Sequence, residues 1–471
     1  MTATTPGTIT VRTKRDIIDF VDSHPKGTRR TKILVFIALG GIFVDAYDFT
    51  SLGIGVDSLK AEFALSAFQV GTMTAAMAVG ALLGALIGGY LVDRIGRYKL
   101  FVLDLILFVV AAIGAGLSPN LEVLLVFRFL LGFGVGVDMP ASFSFVAEFT
   151  NRASKGKYVN MWQSMWYVAV VVTGLVALPF YFAGVGGDLW RWAVGFGAVP
   201  ALIVLLLRLK FTEESPMWAA HRLGLREAAK ILEKSYGITV VVDQAAGQEA
   251  VKRLPGFRAL FTPKYRARTA LASLISGTQS MEYFAVGFYI PVIVALLLGK
   301  GVLFAILGTI VINLFGVLGG TTQPFLTQKW GLRKLAITGY CIVAGCMLLL
   351  GVVGDAVPGV VAALLVGVLI FGHSFGPGAQ GKTMAALSYP TEMRGIGMGW
   401  AESMSRIGTI LGFYVFPLIM AVAGLSKTML ALMVIPLTGL LALGLIRWEP
   451  IGQDVETPEA EGTATTPSTA S

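Results

Sequence analysis

The sequence predicts an all-α polytopic membrane protein with twelve transmembrane helices in two pseudo-symmetric six-helix bundles. The 471 residues are 55% hydrophobic and only 14% charged, with a mean hydropathy of +0.75. A soluble chain of this length cannot bury so much apolar surface. Apolar stretches of membrane-spanning length recur along the whole chain, and one long polar segment, 210–268, divides them into two sets of six.

Each span is recognised as a run of about twenty mostly apolar residues, because a helix satisfies its own backbone hydrogen bonds in lipid. We predict spans at 33–56, 67–92, 99–117, 121–147, 158–182, 190–209, 269–298, 302–322, 333–353, 357–388, 396–423 and 428–447. They form an N-terminal bundle over 32–209 and a C-terminal bundle over 269–447. Cys341 and Cys346 share one predicted helix, so we expect them to be unbridged packing residues.

The distribution of cations predicts the orientation, because short cytoplasmic loops are enriched in Lys and Arg. Cations stand before span 1 and between spans 2 and 3, 4 and 5, and 8 and 9, at Arg12, Lys14, Arg15, Lys26, Arg29, Arg30, Lys32, Arg94, Arg97, Lys99, Arg152, Lys155, Lys157, Lys329, Arg333 and Lys334. We therefore expect a multi-pass protein of the plasma (inner) membrane with both termini in the cytoplasm. The net charge of +9 then faces anionic lipid heads and requires no nucleic-acid partner.

Three segments lie outside the two bundles. Residues 1–31 form a polar, basic cytoplasmic tail, and residues 448–471 form an acidic, Thr/Pro/Ala-rich tail that we expect to be disordered. The segment 210–268 is predicted to be a cytoplasmic linker with a helix in "ESPMWAAHRLGLREAAKILEKSYG". Ser215 is the expected N-cap of that helix, with Pro216 at its first position.

An internal repeat supports two related halves. The connection "GGYLVDRIGRYKL" after span 2 is echoed by "QPFLTQKWGLRKL" after span 8. Aligning Gly96 with Gly331 keeps the cations but places Gln328 opposite Asp93. Repeats of this kind build a central binding site between the halves of many transporters.

Five stretches resemble the major facilitator superfamily over nearly the whole chain. "GGYLVDRIGRYKL" is similar to its signature loop, and "RFLLGFGVG" and "AEFTNRASKGK" to its fourth helix and the loop that follows. "EESPMW" and "YPTEMRG" are similar to segments of its sugar-porter branch. Within the superfamily, Asp-x-Tyr-Asp in span 1 and "GWAESMSRIG" in span 11 resemble proton-driven symporters of organic acids and phosphate. The resemblance implies a transporter that works by alternating access.

Two acids inside span 1 are the first candidates for proton coupling. Asp45 and Asp48 share one helix face, and an ionised carboxylate at mid-membrane costs about 2.5–3.5 kcal/mol. The resemblance implies that Arg128 of span 4 faces Asp48, which would carry the proton with Asp45 as an accessory acid. The alternative is a permanent Asp48–Arg128 ion pair between helices. Asp138 is a third buried acid, suited to proton or substrate work or to a structural hydrogen bond with helix 1.

The substrate candidates lie mainly in the second half. Glu402 and Arg406 in span 11 are spaced for an intrahelical pair, but Arg406 could instead bind an anionic group through its planar guanidinium. The other predicted pocket residues are polar or aromatic, with ordinary packing as the alternative for the aromatic ones: Gln163, Trp166, Tyr167, Gln279, Glu282, Tyr283 and Tyr414. Sugar porters carry a glutamine pair and a later asparagine in helix 7, where this chain has only Gln279. His373 in span 10 is expected to be a packing residue.

The signature loop implies a gate on the cytoplasmic side. Asp93 and Arg97 end helix 2, and in the family this acid holds the two halves together against the start of helix 11. We expect Glu148 with Arg152 or Lys155, and Glu392 with Arg394, to belong to the same gate.

The predicted function is proton-coupled uptake of a small organic solute, such as an organic acid or similar metabolite. We expect no cofactor, a proton gradient as the energy source, a monomer, and no enzymatic activity, because the sequence contains no catalytic or nucleotide-binding motif. A sugar or polyol transporter and a proton-coupled drug or metabolite exporter are the alternatives. Exporters of that kind typically carry a Gly-Pro pair in helix 5, whereas Gly174 and Pro179 stand apart here.

Overall fold

The computed structural model describes residues 8–24, 29–243, 254–298, 301–354 and 356–456, and it contains the twelve predicted membrane helices. Nine apolar helices of the described residues are long enough to cross a membrane. Two of them, Val302–Val353 and Arg394–Leu445, run to 52 residues and are each divided by a non-helical glycine, Gly331 or Gly424. Leu121–Phe149, which carries four charged side chains, is the remaining membrane helix.

We number these membrane helices 1 to 12. In the N-terminal half they are Arg29–Ile54, Ala67–Ile95, Arg97–Gly116, Leu121–Phe149, Lys155–Asn160 continued by Trp162–Phe182, and Leu189–Gly195 continued by Ala198–Phe211. In the C-terminal half they are Arg266–Val286 continued by Ile290–Leu298, the two parts of Val302–Val353, Gly359–Phe375 continued by Pro377–Ser388, the part of Arg394–Leu432 before Gly424, and the rest of that helix with Val434–Leu445.

Both tails and the central linker lie at one end of the molecule, which we call the tail face. There the strand Thr8–Val11 pairs in parallel with Thr239–Val242, beside the short helices Lys14–Ser23, Pro216–Arg222 and Leu225–Tyr236. Three short elements complete the described chain, the helix Val56–Glu62 and the 3-10 turns Gly186–Asp188 and Phe257–Phe261. The N-terminal segment is thus folded against the linker rather than free.

The linker helix differs from the prediction in one respect. Ser215 is its N-cap as expected, since its hydroxyl accepts a hydrogen bond from the Trp218 amide at 3.2 Å. The predicted single helix is divided in two at Gly224, whose φ of +94° is outside the helical range.

The prediction of a disordered C-terminal tail is wrong for residues 448–456. Glu449 accepts a hydrogen bond from the Arg333 amide at 3.0 Å, and the buried Glu456 carboxylate contacts Arg394. These acids bind cations and amides of the tail face, which composition alone does not reveal. Residues 457–471 of that tail, 1–7 and 25–28 of the N-terminal tail, and 244–253 of the linker lie outside the described residues.

The internal repeat predicted from the signature loop is visible in the backbone. Gly96 and Gly331 occupy the same position in the two halves, with φ of +104° and +75°. A carboxylate closes each turn, because Glu214 accepts from the Arg97 amide and Glu449 from the Arg333 amide, both at 3.0 Å. Both positive φ values favour glycine, and a Cβ would also displace the carboxylate that closes each turn, at 2.1 Å from Glu214 for Gly96 and 2.5 Å from Glu449 for Gly331.

Candidate functional site

The two acids of membrane helix 1 are buried without hydrogen-bond donors. Asp45 and Asp48 are 1% and 0% exposed, and none of their four carboxylate oxygens accepts a hydrogen bond from a described residue. Gly197 of helix 6 leaves space for Asp48, since a Cβ there would lie 2.2 Å from Asp48 Oδ1. An ionised carboxylate in such a place is costly, so these two groups are suited to changing protonation state.

Arg128 contacts membrane helix 1 at the predicted residue but through a different atom. Its Nη1 donates to the backbone carbonyl of Asp48 at 3.1 Å, whereas the Asp48 carboxylate stays without a donor among the described residues. Arg128 therefore meets Asp48 through the backbone, and the permanent Asp48–Arg128 ion pair, which was the alternative to Asp48 as a proton carrier, is not formed among the described residues.

Asp138 pairs with a cation that sequence analysis did not consider. Arg208, at the end of membrane helix 6, lies 2.8 Å from Asp138 and 3.5 Å from Asp104. Arg208 also donates to the Ala38 carbonyl of helix 1 at 3.3 Å, and the Ser142 hydroxyl donates to Asp138 at 3.0 Å. This network joins helices 1, 3, 4 and 6 inside the N-terminal half, which favours the structural interpretation of Asp138.

A charged cluster lies where membrane helices 1, 10 and 11 approach one another. We call Lys382, Glu402 and Arg406 the central cluster. Glu402 is paired with Arg406 one turn along its own helix and with Lys382 Nζ of helix 10 at 2.8 Å. The charges that act on Asp45 come from both halves, Asp138 and Arg208 from the N-terminal half and Arg406 and Glu402 from the C-terminal half. Both sequence interpretations of Arg406 therefore stay open, since its intrahelical pair is present and a second cation adjoins it.

Aromatic side chains surround the central cluster. The Arg406 guanidinium lies 4.7 Å from the centre of the Phe49 ring, and Lys382 Nζ lies 4.7 Å from that of Trp162. The Trp166 indole donates to the Tyr283 hydroxyl at 3.2 Å. These contacts join the two halves of the molecule and enclose charge within apolar walls.

The predicted pocket residues fall into two groups. Most lie together: Tyr167 packs edge-on against Tyr283 with 5.8 Å between ring centres, and Tyr283 stacks on His373 at 5.2 Å. Gln163 and His373 both pack against Gly378, where an added Cβ would lie 2.4 Å from Gln163 and 2.7 Å from His373. Tyr414 stands apart, 36% exposed, because it lies two turns beyond Arg406 on helix 11.

Two polar groups of membrane helix 7 have partners that the sequence did not predict. The Glu282 carboxylate lies 3.1 Å from His373 Nδ1, so His373 is more than a packing residue. The Gln279 amide donates to Ser280 at 2.6 Å, and Ser280 contacts Ser405 of helix 11 at 2.5 Å. Gln279 therefore links helices 7 and 11 through a serine pair.

A buried latch joins the two halves at the tail face. It consists of Asp93, Arg97, Glu148 and Arg394. Asp93 accepts hydrogen bonds from the Gly395 and Ile396 amides at 3.1 Å each, at the start of helix 11, where the helix dipole favours an anion. Arg97 and Arg394 bind Glu148 at 2.7 and 3.1 Å, so all four side chains hold the tail face closed.

The latch differs from the prediction in its pairing. Glu148 binds Arg97 and Arg394, not Arg152 or Lys155. Arg152 donates to the Gly452 carbonyl and lies 3.7 Å from Asp454, and Lys155 pairs with Asp22. Glu392 contacts His221 at 3.2 Å rather than Arg394. The predicted pairs joined residues that are close in sequence. In the structure these carboxylates contact cationic or imidazole side chains of other helices instead.

Glu456 of the C-terminal tail completes the latch. Its carboxylate lies 2.5 Å from Arg394 Nη2 and accepts from the Thr391 amide at 3.0 Å. Although burial alone would raise the pKa of Glu456, the Arg394 guanidinium and the Thr391 donors hold that pKa below the ordinary value of 4.5. A residue from the segment predicted to be disordered thus binds the latch.

We predict that Glu456→Gln destabilises the tail face by about 1.5–3 kcal/mol, the usual range for a hydrogen bond to a charged group. Because the pKa of Glu456 is lowered in the folded protein, its contribution is complete above pH 4.5 and is lost as the pH falls below that value. Thermal unfolding of the purified proteins should show a lower Tm for the variant at pH 7 and a shrinking difference in acid. Glu227→Gln, which removes an exposed pair with Lys230, should change little. A difference independent of pH would contradict this assignment.

Sequence analysis missed two buried cations and one buried acid. Lys382 and Arg208 are 3% and 0% exposed, and the acid Asp104 is also 3% exposed. The sequence could have indicated two of them, because Lys382 and Asp104 lie inside predicted spans, where an ionisable residue usually has a functional role. Arg208 stands near the end of span 6 and has the sequence position of an ordinary interfacial cation.

Comparison with known proteins gives the family. The profile for "Sugar (and other) transporter" matches residues 34–448. The chain is 30% identical to the putative metabolite transport protein YaaU of Escherichia coli K12, over 85% of this chain and 88% of that protein. It is 26% identical to the niacin transporter NiaP of Acinetobacter baylyi, over 84% of this chain and 88% of that one.

A solved structure agrees with the architecture. The major facilitator superfamily proton:xylose symporter XylE, bound to 6-bromo-6-deoxy-D-glucose, superposes with a TM-score of 0.78 over 92% of this chain and 98% of that chain, at 20% identity. This likeness concerns the fold alone, with its twelve helices in two halves. Since the family profile covers nearly all of the membrane region, and the relatives are transporters and not enzymes, this chain is a membrane transporter of the sugar (and other) transporter family, within the major facilitator superfamily.

Proposed function

We propose that this transporter is a proton-coupled symporter that takes up a small organic acid or similar metabolite by alternating access. The tail face lies in the cytoplasm, the chain works as a monomer in the plasma membrane, and the proton gradient supplies the energy. The observation that carries the proposal is the pair of buried helix-1 acids, Asp45 and Asp48, whose carboxylates accept no hydrogen bond from any described residue.

The physical argument starts from the cost of those charges. A buried carboxylate without donors costs several kcal/mol when it is ionised, and the protonated form avoids that cost while the tail face is closed and the two acids are buried. A site that opens to water on either side can ionise the same groups there. Asp48, which lies beside Arg128, can thus take up a proton on one side of the membrane and release it on the other. Asp45, beside the central cluster, is the accessory acid.

The surroundings favour an organic acid as the substrate. Lys382 and Arg406 place two cations in the central cluster, and the aromatic walls suit a partly apolar, planar solute. Arg406 offers the planar fork that matches a carboxylate. The relative named as a niacin transporter agrees with this class.

A sugar is the second candidate. The fold superposes on a structure named as a proton:xylose symporter, and buried amides, Gln163 and Gln279, lie near the centre. Either solute fits the same cycle, in which the latch opens and closes the tail face while the two halves rock around the central cluster. Because the ion pairs of the latch must break in every turnover, their net strength must be modest.

The orientation of the tail face follows from charge. The loops at this end carry most of the chain's short-loop cations, including Arg94, Lys99 and Lys157, and such loops stay in the cytoplasm. The anionic inner leaflet adds to this preference.

The test is transport into liposomes that contain the purified protein. With an acidic exterior and a neutral interior, labelled nicotinate, benzoate or xylose should accumulate inside, and the added proton conductance of an uncoupler should abolish accumulation. Equilibration without accumulation, at any imposed pH gradient, would show a facilitator. Loss of preloaded solute driven by external protons would favour the exporter alternative.

A further inference from the structure

We propose that Lys382 and Arg406 form an anion site that Glu402 occupies in the substrate-free protein, and that a substrate monocarboxylate displaces Glu402, which then takes up one proton. The inference rests on the proposed function and extends it, because it names the substrate class and adds a proton site in the C-terminal half. This proton is additional to the one carried by helix 1.

The geometry is that of a carboxylate-binding site with a carboxylate already in it. Cations from two helices converge on Glu402, Lys382 on Oε2 at 2.8 Å and Arg406 on Oε1. The side chains of Lys382, Glu402 and Arg406 are nearly inaccessible, with exposures of 3%, 0% and 1%. A cation on each side of a carboxylate, one of them a guanidinium, is the arrangement that would also recognise a carboxylate of a substrate.

The bonds to Glu402 are ion contacts rather than well-directed hydrogen bonds. Neither carboxylate oxygen of Glu402 has a hydrogen bond of good geometry, and the buried Arg406 Nε donates to no described residue. Arg406 therefore has unused donor capacity inside the protein, where an unsatisfied donor is costly. A ligand with a free carboxylate can satisfy the guanidinium better than Glu402 does from its fixed place on the same helix.

Displacement leaves Glu402 without its cations. Once Lys382 and Arg406 pair with the substrate carboxylate, an ionised Glu402 would be a negative charge without a cationic partner in a buried site. Such a charge is expensive at low dielectric constant. Glu402 is the group that loses both cationic partners, so it is the acid that takes the proton from water on the open side. On the other side the anion leaves, Glu402 returns the proton to water, and its pairs with Lys382 and Arg406 form again.

The other charged groups around membrane helix 11 have partners or sites of their own. They are Asp93 and Glu148 in the latch, Arg128 on the helix-1 backbone, Asp138 with Arg208, and Glu282 with His373. Asp45 faces the central cluster from helix 1 but contacts neither cation within ion-pair distance among the described residues. Glu402 is held by two cations, one from helix 10 and one from its own helix, that an anion could take from it.

The experiment measures protons taken up per anion bound. The full-length protein, purified in detergent and weakly buffered at pH 7.5, is titrated with nicotinate, benzoate or gluconate while a pH indicator is read. Nicotinamide and benzamide, which have nearly the same shape without the charge, serve as neutral probes. We expect the carboxylates to bind at least tenfold more tightly than the amides and to draw protons from solution, whereas the amides should draw none.

The variant Glu402→Gln should bind the carboxylates at least as tightly and take up one proton fewer per anion than the native protein. Glu402→Asp, which keeps the acid, should take up the native number. In liposomes, Glu402→Gln should carry one positive charge fewer per cycle, which appears as a reduced response of uptake to an inside-negative potential.

The outcomes separate this inference from the proposed function. If no carboxylate of the panel binds, or if Glu402→Gln takes up as many protons as the native protein, the anion site at Glu402 is refuted even where proton-driven uptake persists. If Glu402→Gln fails to fold, the native titration decides, since binding of a carboxylate without proton uptake refutes the displacement. Absence of any proton-driven uptake in liposomes refutes the proposed function instead.

Discussion

Asp48→Asn is expected to abolish accumulation of the solute against its gradient while leaving part of the exchange across the membrane intact. Asparagine has nearly the shape of a protonated aspartate but cannot release a proton, so the variant should resemble the proton-loaded carrier at every pH. In liposomes with an acidic exterior, the ratio of internal to external solute should fall to about one. Exchange of labelled for unlabelled solute, which needs no proton release, should continue.

Two comparisons make the Asp48 result specific. Asp188→Asn removes a carboxylate whose side chain is 64% exposed and should accumulate solute as the native protein does. Asp45→Asn tests whether the second acid of helix 1 shares the role, and partial loss is expected, because Asp45 faces the central cluster rather than Arg128. If Asp48→Asn still concentrates solute, Asp48 is not the proton carrier.

The fold could be predicted from the sequence almost completely, because lipid leaves few alternatives. Each span had to be a helix to satisfy its backbone, and the repeated loop around Gly96 and Gly331 indicated two halves. What the sequence did not indicate was the folded tail face. The strand Thr8–Val11 pairs with residues more than 200 positions away, and the four-residue match has no local signal.

The candidate site was predicted in its location and less well in its pairings. The positions of Asp45, Asp48 and Arg406 follow from the cost of charge in a membrane, which selects residues one at a time. A pairing depends on how helices face one another, and the sequence pattern does not specify it. Arg128 therefore meets a carbonyl instead of a carboxylate, and Lys382 completes a cluster that was first seen as a possible pair within helix 11.

Arg208→Ala is expected to have the largest effect on stability of any single change considered. Arg208 is fully buried and binds Asp138, Asp104 and the carbonyls of Phe101 and Ala38. Removing it leaves two carboxylates in the protein interior without their cation, and breaking a buried pair in this way typically costs about 3–5 kcal/mol. The variant should yield little monodisperse protein in detergent, or protein with a markedly lower Tm.

A charge-free variant then separates the structural role of Asp138 from a role in transport. Arg208→Gln combined with Asp104→Asn and Asp138→Asn removes the cation and both acids together, and replacing a whole buried ionic group is far less harmful than breaking it. We expect this triple variant to recover most of the lost Tm and, because Asp48 is intact, to accumulate solute under a pH gradient. Recovery of the fold without accumulation would instead assign Asp138 or Asp104 to the proton pathway, since the polar scaffold would be restored and only the titratable groups would be missing.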